Sequence, residues 1–398
     1  MTPRTSLVTL GMGLAAASVG AAAGLAAERL AVGRLAVGRS SARQLPQDED
    51  EVPLGSIREV PVAVTADDGT VLHAEVDEPE IPDPDGLTVV FCHGYALNLD
   101  SWHYQRLALQ RRVRTVWWDQ RGHGRSERGP VGSATIEQVG SDLAAVLAAV
   151  APSGPLVLVG HSMGGMTVMS LAAHEPEMFA ERVVGVALIS TSAGGLADVD
   201  LGLDRIGVLL RRVAPAALTL LSRRPGLVAR TRRIGSDLEE VIVKRWSYAS
   251  AVDDDLLGFT AQMIASTKIE VVNDFLPTFG AHDTREALTA LEEIESLVLV
   301  GDHDLLTPAE HSEEIHRLLP GSQFALVRDA GHLVMLEHPE IVTPHLVALL
   351  HRARKRIDGG HDVEIRPRPW TPRRAVADGR SSGTRGRGRA RSRGHRSP

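Results

Sequence analysis

The stretch Pro155-Leu156-Val157-Leu158-Val159-Gly160-His161-Ser162-Met163-Gly164-Gly165 constrains this chain more than any other. It reads as a short apolar strand, buried on both faces, that breaks off in Gly-x-Ser-x-Gly and re-forms as a helix from Met166-Thr167-Val168. A serine at the apex of so tight a strand-to-helix turn has a strained backbone. Side chains two residues before and two after it would collide across the turn, which accounts for Gly160 and Gly164. A surface turn that happens to contain Ser162 is the bland alternative, and the strand before and helix after it count against that reading.

The surrounding chain repeats the same unit. Ile57–Thr65 and Val71–Val76 alternate as strands around the turn Asp67-Asp68-Gly69-Thr70. Leu87–Cys92, Val113–Trp118, Val183–Ile189, Leu297–Val300 and Gln323–Val327 are further apolar strands, and Ser101–Arg111, Ile136–Val150, Ala309–Leu318 and Val342–Arg354 have helical spacing. Strands alternating with amphipathic helices predict an α/β protein with a mostly parallel sheet covered on both faces. From about Ser192 to Leu291 the alternation stops: Leu201–Val213, Leu218–Leu221, Leu238–Ser250 and Leu256–Thr267 are helical in pattern, without a convincing strand. The segment is an expected helical cap inserted after the sixth strand. The domain plan is thus a core over 57–191 and 292–356, interrupted by a cap over 192–291.

Both ends differ from this body. Residues 6–27 carry no charge, and their length suits a membrane span of about 20 residues. Arg4 alone precedes them, whereas Arg29, Arg34, Arg39 and Arg43 follow with one acid, Glu28. That bias favours a retained N-terminal anchor over 1–28 with the following domain in the cytoplasm. A cleaved signal peptide ending near Ala21-Ala22-Ala23, and hence secretion, is the competing reading. Residues 29–56 read as a linker. The tail over 357–398 is an Arg/Gly/Ser-rich stretch expected to be disordered. From Arg366 onward it holds 11 arginines and one acid, which leaves 32 basic against 49 acidic residues, a balance of −17, in residues 1–365. The tail lacks interleaved aromatics apart from Trp370, so a nucleic-acid module is not expected. A single cysteine, Cys92, at the end of an apolar run, excludes an intramolecular disulfide and reads as core.

A serine hydroxyl needs a general base to take its proton, and the base needs an acid to fix its tautomer. Both must come from loops at the carboxyl ends of strands, where Ser162 lies. Two such loops follow the cap. The first offers Asp302 or Asp304, and the second offers His332. The amide of Met163, opening the helix, is one oxyanion donor by geometry.

At this point the chain resembles the α/β-hydrolase fold family with a helical cap, the broad group that holds esterases, lipases and cofactor-free haloperoxidase-like hydrolases. The resemblance rests on His93-Gly94, Asp119-Gln120-Arg121-Gly122-His123-Gly124-Arg125-Ser126, Gly160-His161-Ser162-Met163-Gly164-Gly165, Gly301-Asp302-His303-Asp304-Leu305-Leu306-Thr307-Pro308, and Gly331-His332 ahead of Glu337-His338-Pro339-Glu340. It implies that Asp304 rather than Asp302 is the acid, and that the Tyr95 amide is the second oxyanion donor. His93, His123 and His161 read as structural loop and packing residues. Trp102, His103 and Tyr104 fit either a site entrance or a buried helix face.

The expected function is cleavage of a carboxylic ester with an apolar or lipid-like acyl group, through Ser162, His332 and Asp304 and an acyl-enzyme. A thioesterase, carbon–carbon hydrolase or perhydrolase would use the same residues, and a non-catalytic binding protein could keep the same fold. No cofactor is expected, since no phosphate loop or dinucleotide fingerprint appears, and His303 has no partners at metal-site spacing. The expected partners are a small-molecule ester and, through the N-terminal segment, membrane lipid. Arginines of the cap, Arg205 to Arg245, read as a solvated face balanced by Asp237, Glu239, Glu240 and Asp253–Asp255.

Overall fold

The computed structural model describes residues 52–196 and 243–357. The expected anchor, the arginine-rich tail, and the cap helices at Leu201–Val213 and Leu218–Leu221 lie outside the described residues, as do residues 238–242 of Leu238–Ser250. Among the described residues no helix is long and apolar enough to cross a membrane.

Eight strands form one sheet in the order β1-β2-β4-β3-β5-β6-β7-β8. Strands β1 (Pro61–Thr65) and β2 (Val71–Asp77) make an antiparallel hairpin at one edge, and β2 pairs antiparallel with β4 (Arg114–Trp118). From β4 onward all pairings are parallel, through β3 (Thr88–Cys92), β5 (Leu156–His161), β6 (Val183–Ile189), β7 (Glu295–Gly301) and β8 (Gln323–Val327). Every residue of β3 and β5 is buried, which a strand in mid-sheet with helices on both faces must be.

The period-2 alternation of strands sorts side chains into two cores. Val90, Cys92, Val116, Trp118, Leu156 and Leu158 enter one; Val89, Phe91, Trp117, Val157 and Val159 enter the other. Helix α1 (His103–Leu109) contributes to the second core. Helices α2 (Ile136–Val150), α3 (Met163–His174) and α4 (Pro176–Arg182) contribute to the first. Thr135 starts α2 by accepting a hydrogen bond from the Gln138 amide, 3.1 Å, and Ile136, Val139, Leu143, Val146 and Val150 form its buried stripe. Trp102, His103 and Tyr104 are all buried, so they belong to the inner face of α1 and of the 3₁₀ turn Leu99–Trp102 before it.

Between β6 and β7 the chain leaves the sheet and returns. Its neck is closed by a bridge between Gly194 and Asp283 and by the Thr284 amide on the Ala193 carbonyl, 2.7 Å. The described cap holds α5 (Asp254–Ser266), capped by Asp253 on the Leu256 amide at 2.7 Å, and α6 (Ile269–Ala281). The sequence pattern missed α6, because Pro277 interrupts its last turns and Lys268 provides no side-chain cap. Helices α7 (Ala309–Leu318), α8 (Val334–Glu337) and α9 (Pro339–Lys355) complete the second half.

Buried charge ties the loops to this frame. Arg121, 1% exposed, makes two 2.6 Å bonds to Asp142, whose side chain is fully buried, and one of 2.8 Å to Asp68. Burial raises the Asp142 carboxyl above its ordinary range, and Arg121 opposes that rise. Replacing Arg121 by Met strands the carboxylate, and urea titration is expected to show a loss of about 3–5 kcal/mol. With burial and the charges of Asp68 and Asp67 left unopposed, the folded Asp142 binds its proton more tightly than the unfolded chain does. The variant's deficit therefore grows as pH rises from 5 to 8.

Candidate active site

Strand β5 delivers Ser162 to the carboxyl edge of the sheet with φ 52° and ψ −119°, a conformation that costs a non-glycine residue of order 1–3 kcal/mol. The turn is held from both sides. A Cβ on Gly160 would lie 2.4 Å from the Gly164 carbonyl oxygen, and one on Gly164 would lie 2.1 Å from that of Cys92, so both positions admit glycine only. The Ser162 amide donates to Ile189 at 3.0 Å, and the Thr191 hydroxyl donates to the Ser162 carbonyl at 2.7 Å. The end of β6 thus clamps the apex.

Asp304 and His332 are brought together by the loops after β7 and β8. His332 Nδ1 lies 2.8 Å from Asp304 Oδ2 and 3.0 Å from Oδ1. Both residues are buried. The carboxylate also accepts from the amides of Leu306 and Thr307 and from the Thr307 hydroxyl, each at 2.9 Å. Burial pushes Asp304 up, but His332 and these donors outweigh it and hold the carboxyl below its ordinary range, so it stays ionised. Asp302 instead bonds the exposed ring of His303 at 2.6 Å and takes the Ala330 amide at 3.4 Å. It makes no bond to His332, and the choice between the two aspartates falls to Asp304.

Beside the elbow, the amides of Tyr95 and Met163 have no hydrogen-bond acceptor among the described residues. The loop carrying Tyr95 is pressed onto Ser162: a Cβ on Gly94 would sit 3.2 Å from Ser162 Cβ and 2.7 Å from His161 Nδ1. Three buried side chains fix that loop. His93 Nδ1 donates to the Gly94 carbonyl at 2.7 Å, and its Nε2 accepts from the Gln120 amide at 2.9 Å. Gln120 Nε2 donates to the His93 carbonyl, and the Thr167 hydroxyl donates to Gln120 Oε1 at 2.7 Å. The loops after β3 and β4 are thereby joined to the helix that follows Ser162.

The other histidines are struts. His161 is fully buried, its Nε2 donates to the His332 carbonyl at 2.9 Å, and burial lowers it to about 3, so it is neutral. His123 is fully buried on the Arg121 carbonyl, 2.9 Å, and burial lowers it to about 4. Cys92 is buried beneath Trp118 Nε1, and burial pushes its thiol up to about 12, which removes it as a nucleophile. Among the described residues no three His, Cys, Asp or Glu side chains converge as a metal site requires.

Glu337 was quoted above only as part of a motif. Its Oε2 accepts from the Gly331 amide at 2.6 Å, while Oε1 accepts from the amides of Ala249 and Ser250 at 2.8 and 2.5 Å. One carboxylate therefore joins the His332 loop to the returning cap segment, which also receives the Leu333 amide on the Ser247 carbonyl, 2.9 Å. Side-chain bonds to amides 88 and 87 residues away have no sequence signature, so nothing in the residue pattern signals this.

Comparison with known proteins assigns the chain to a family. A family model described as the alpha/beta hydrolase fold matches residues 88–339. The chain belongs to that family and is an enzyme of that fold. It is similar to a thermophilic esterase from Thermogutta terrifontis, with a TM-score of 0.57 and 28% identity over 74% of this chain and 99% of that one. Among curated sequences it is 26% identical to a non-heme chloroperoxidase of Streptomyces lividans over 72% of this chain and 98% of the relative. It is also 26% identical to 3-oxoadipate enol-lactonase 1 of Acinetobacter baylyi, over 70% of this chain and 92% of the relative.

Replacing Glu337 by Gln turns an amide donor toward main-chain donors on one side. The expected result is a stability loss of about 1–3 kcal/mol by urea titration. Hydrogen exchange at Gly331, Ala249 and Ser250 is expected to quicken together.

Proposed function

We propose that the chain is a serine hydrolase of carboxylic esters that works through an acyl-enzyme. The observation that carries this reading is the strained Ser162 on the same sheet edge as a buried His332–Asp304 pair at 2.8 Å, beside two amides without acceptors among the described residues. Ser162 Oγ attacks the ester carbonyl while His332 Nε2 takes its proton. Asp304 remains ionised, holds the proton on His332 Nδ1 and stabilises the imidazolium. The amides of Met163 and Tyr95 receive the oxyanion. Collapse expels the alcohol, which takes the proton from His332, and water activated by the same imidazole attacks the acyl-enzyme to regenerate Ser162. The named activities of the esterase and enol-lactonase relatives support an ester-type substrate. The apolar character of cap helices α5 and α6 supports an apolar acyl group. The uncharged stretch 6–27 supports attachment to a membrane with this domain on the cytoplasmic side.

Hydrolysis of p-nitrophenyl esters of increasing acyl length tests the reading. Ser162→Ala, His332→Ala and Asp304→Ala are each expected to lower kcat by about a thousandfold or more, with Asp302→Ala within about twofold of wild type. A wild-type chain that neither hydrolyses any ester nor becomes labelled at Ser162 by a fluorophosphonate would overturn it.

A further inference from the structure

Tyr95 belongs to two parts of the molecule at once. Its amide comes one residue after Gly94, which lies against Ser162. Its side chain runs the other way, into the cap, where the hydroxyl donates to the Val272 carbonyl of α6. The ring packs edge-on against Phe279, with centroids 5.0 Å apart at 72°, and its neighbours are Phe275 and His123 at 6.4 and 6.1 Å. A main-chain carbonyl has two lone pairs, so one in mid-helix can accept a side-chain donor as well as its helical partner. Burial pushes the Tyr95 phenol well above its ordinary range and the Asp274 charge adds to this, so the hydroxyl remains a donor.

Helix α6 is attached to the core by other contacts that do not use the Tyr95 hydroxyl. Val271 fills the space over Gly122, where a Cβ would come within 2.7 Å of it, and Phe275 lies on His123 at 5.4 Å. Arg128 Nε bonds Asp274 at 2.9 Å, and the Ile136 amide donates to the Thr278 hydroxyl at 3.1 Å. The cap helix therefore does not need the phenol to dock. What the phenol adds is a connection, through one rigid ring with two rotatable bonds, between α6 and the loop whose amide faces the oxyanion.

We propose that Tyr95 is a positioning residue through its side chain. His93 and the Leu97 amide hold the Gly94 carbonyl of the same peptide at 2.7 and 3.2 Å, and the hydroxyl bond to Val272 couples that Gly94–Tyr95 peptide to α6, so the enzyme discriminates acyl groups by how far they displace α6. An acyl chain that fits leaves the amide in line with the developing oxyanion. One that pushes α6 outward draws the amide away and slows the chemical step instead of weakening binding. This rests on the ester-hydrolase reading, in which that amide is an oxyanion donor. Full loss of such a donor costs about 100- to 1,000-fold, so a partial misalignment is worth about tenfold.

The test compares the full chain as wild type, Tyr95→Phe and Arg128→Gln on the p-nitrophenyl ester series, with kcat normalised by fluorophosphonate titration of Ser162. Tyr95→Phe keeps the ring and the amide and removes only the bond. It is expected to lower kcat about 5- to 20-fold on the best substrate, leave KM within about twofold, and flatten the dependence of kcat on acyl length. Arg128→Gln loosens α6 elsewhere and is expected to keep the wild-type profile within about twofold. If Tyr95→Phe matches wild type or changes KM alone, or if Arg128→Gln gives the same loss and flattening, the inference fails while the ester-hydrolase reading stands. A wild type inert to both ester and fluorophosphonate removes that reading and this inference together.

Discussion

The left-handed backbone of Ser162 is the constraint on which the rest of the site depends. An L-residue adopts such a conformation only where its surroundings leave no other course. Here the surroundings are nearly all backbone: the Gly164 carbonyl against Gly160, the Cys92 carbonyl against Gly164, and the Ile189 carbonyl on the serine's amide, with the Thr191 hydroxyl on its carbonyl. Those atoms belong to β3, β5, β6 and the first turn of α3. The central sheet must therefore be assembled before the hydroxyl can be presented. Fold and nucleophile are one structure, and the strain is sustained by the burial of two complete strands beneath it.

Around that apex the loops are joined by polar groups that are buried, neutral and fixed. His93, Gln120 and Thr167 make one chain of bonds from the loop after β3 to the nucleophile helix. His161 makes another, from the residue before Ser162 to the main chain of His332. Of the histidines around the elbow, His332 alone among the described residues bonds a carboxylate, and that carboxylate is held ionised by Thr307 and two amides. Chemical role here follows from the partner of each ring.

Much of this was legible from the residues, for physical reasons that can be named. The strands declared themselves because both faces are buried, and the elbow because steric contact demands glycine at fixed positions. Asp304 was separable from Asp302 only through the family's loop pattern; in space, the difference is that Asp302 faces solvent and His303. The rest was hidden where energy comes from contacts distant in sequence. Glu337 acts on the backbone of Ala249 and Ser250, which any residue but proline would supply. Helix α6 is held by Val271 on Gly122 and Phe275 on His123, contacts that periodicity does not encode, and Pro277 disguises it further. Trp102, His103 and Tyr104 were ambiguous because a 3₁₀ turn shifts the helical phase just where they fall.

The same buried rings carry a consequence for where such a protein can survive. His93, His123 and His161 are neutral in the fold, with burial lowering the last two to about 4 and about 3. An unfolded chain protonates all three near 6.5. Below that value the unfolded state binds protons that the folded state refuses, so the stability present above pH 6.5 is lost as pH falls toward 4. Each ring contributes up to about 1.4 kcal/mol per pH unit across that window. The struts that align the site at neutral pH thus each withdraw stability from the fold as pH falls.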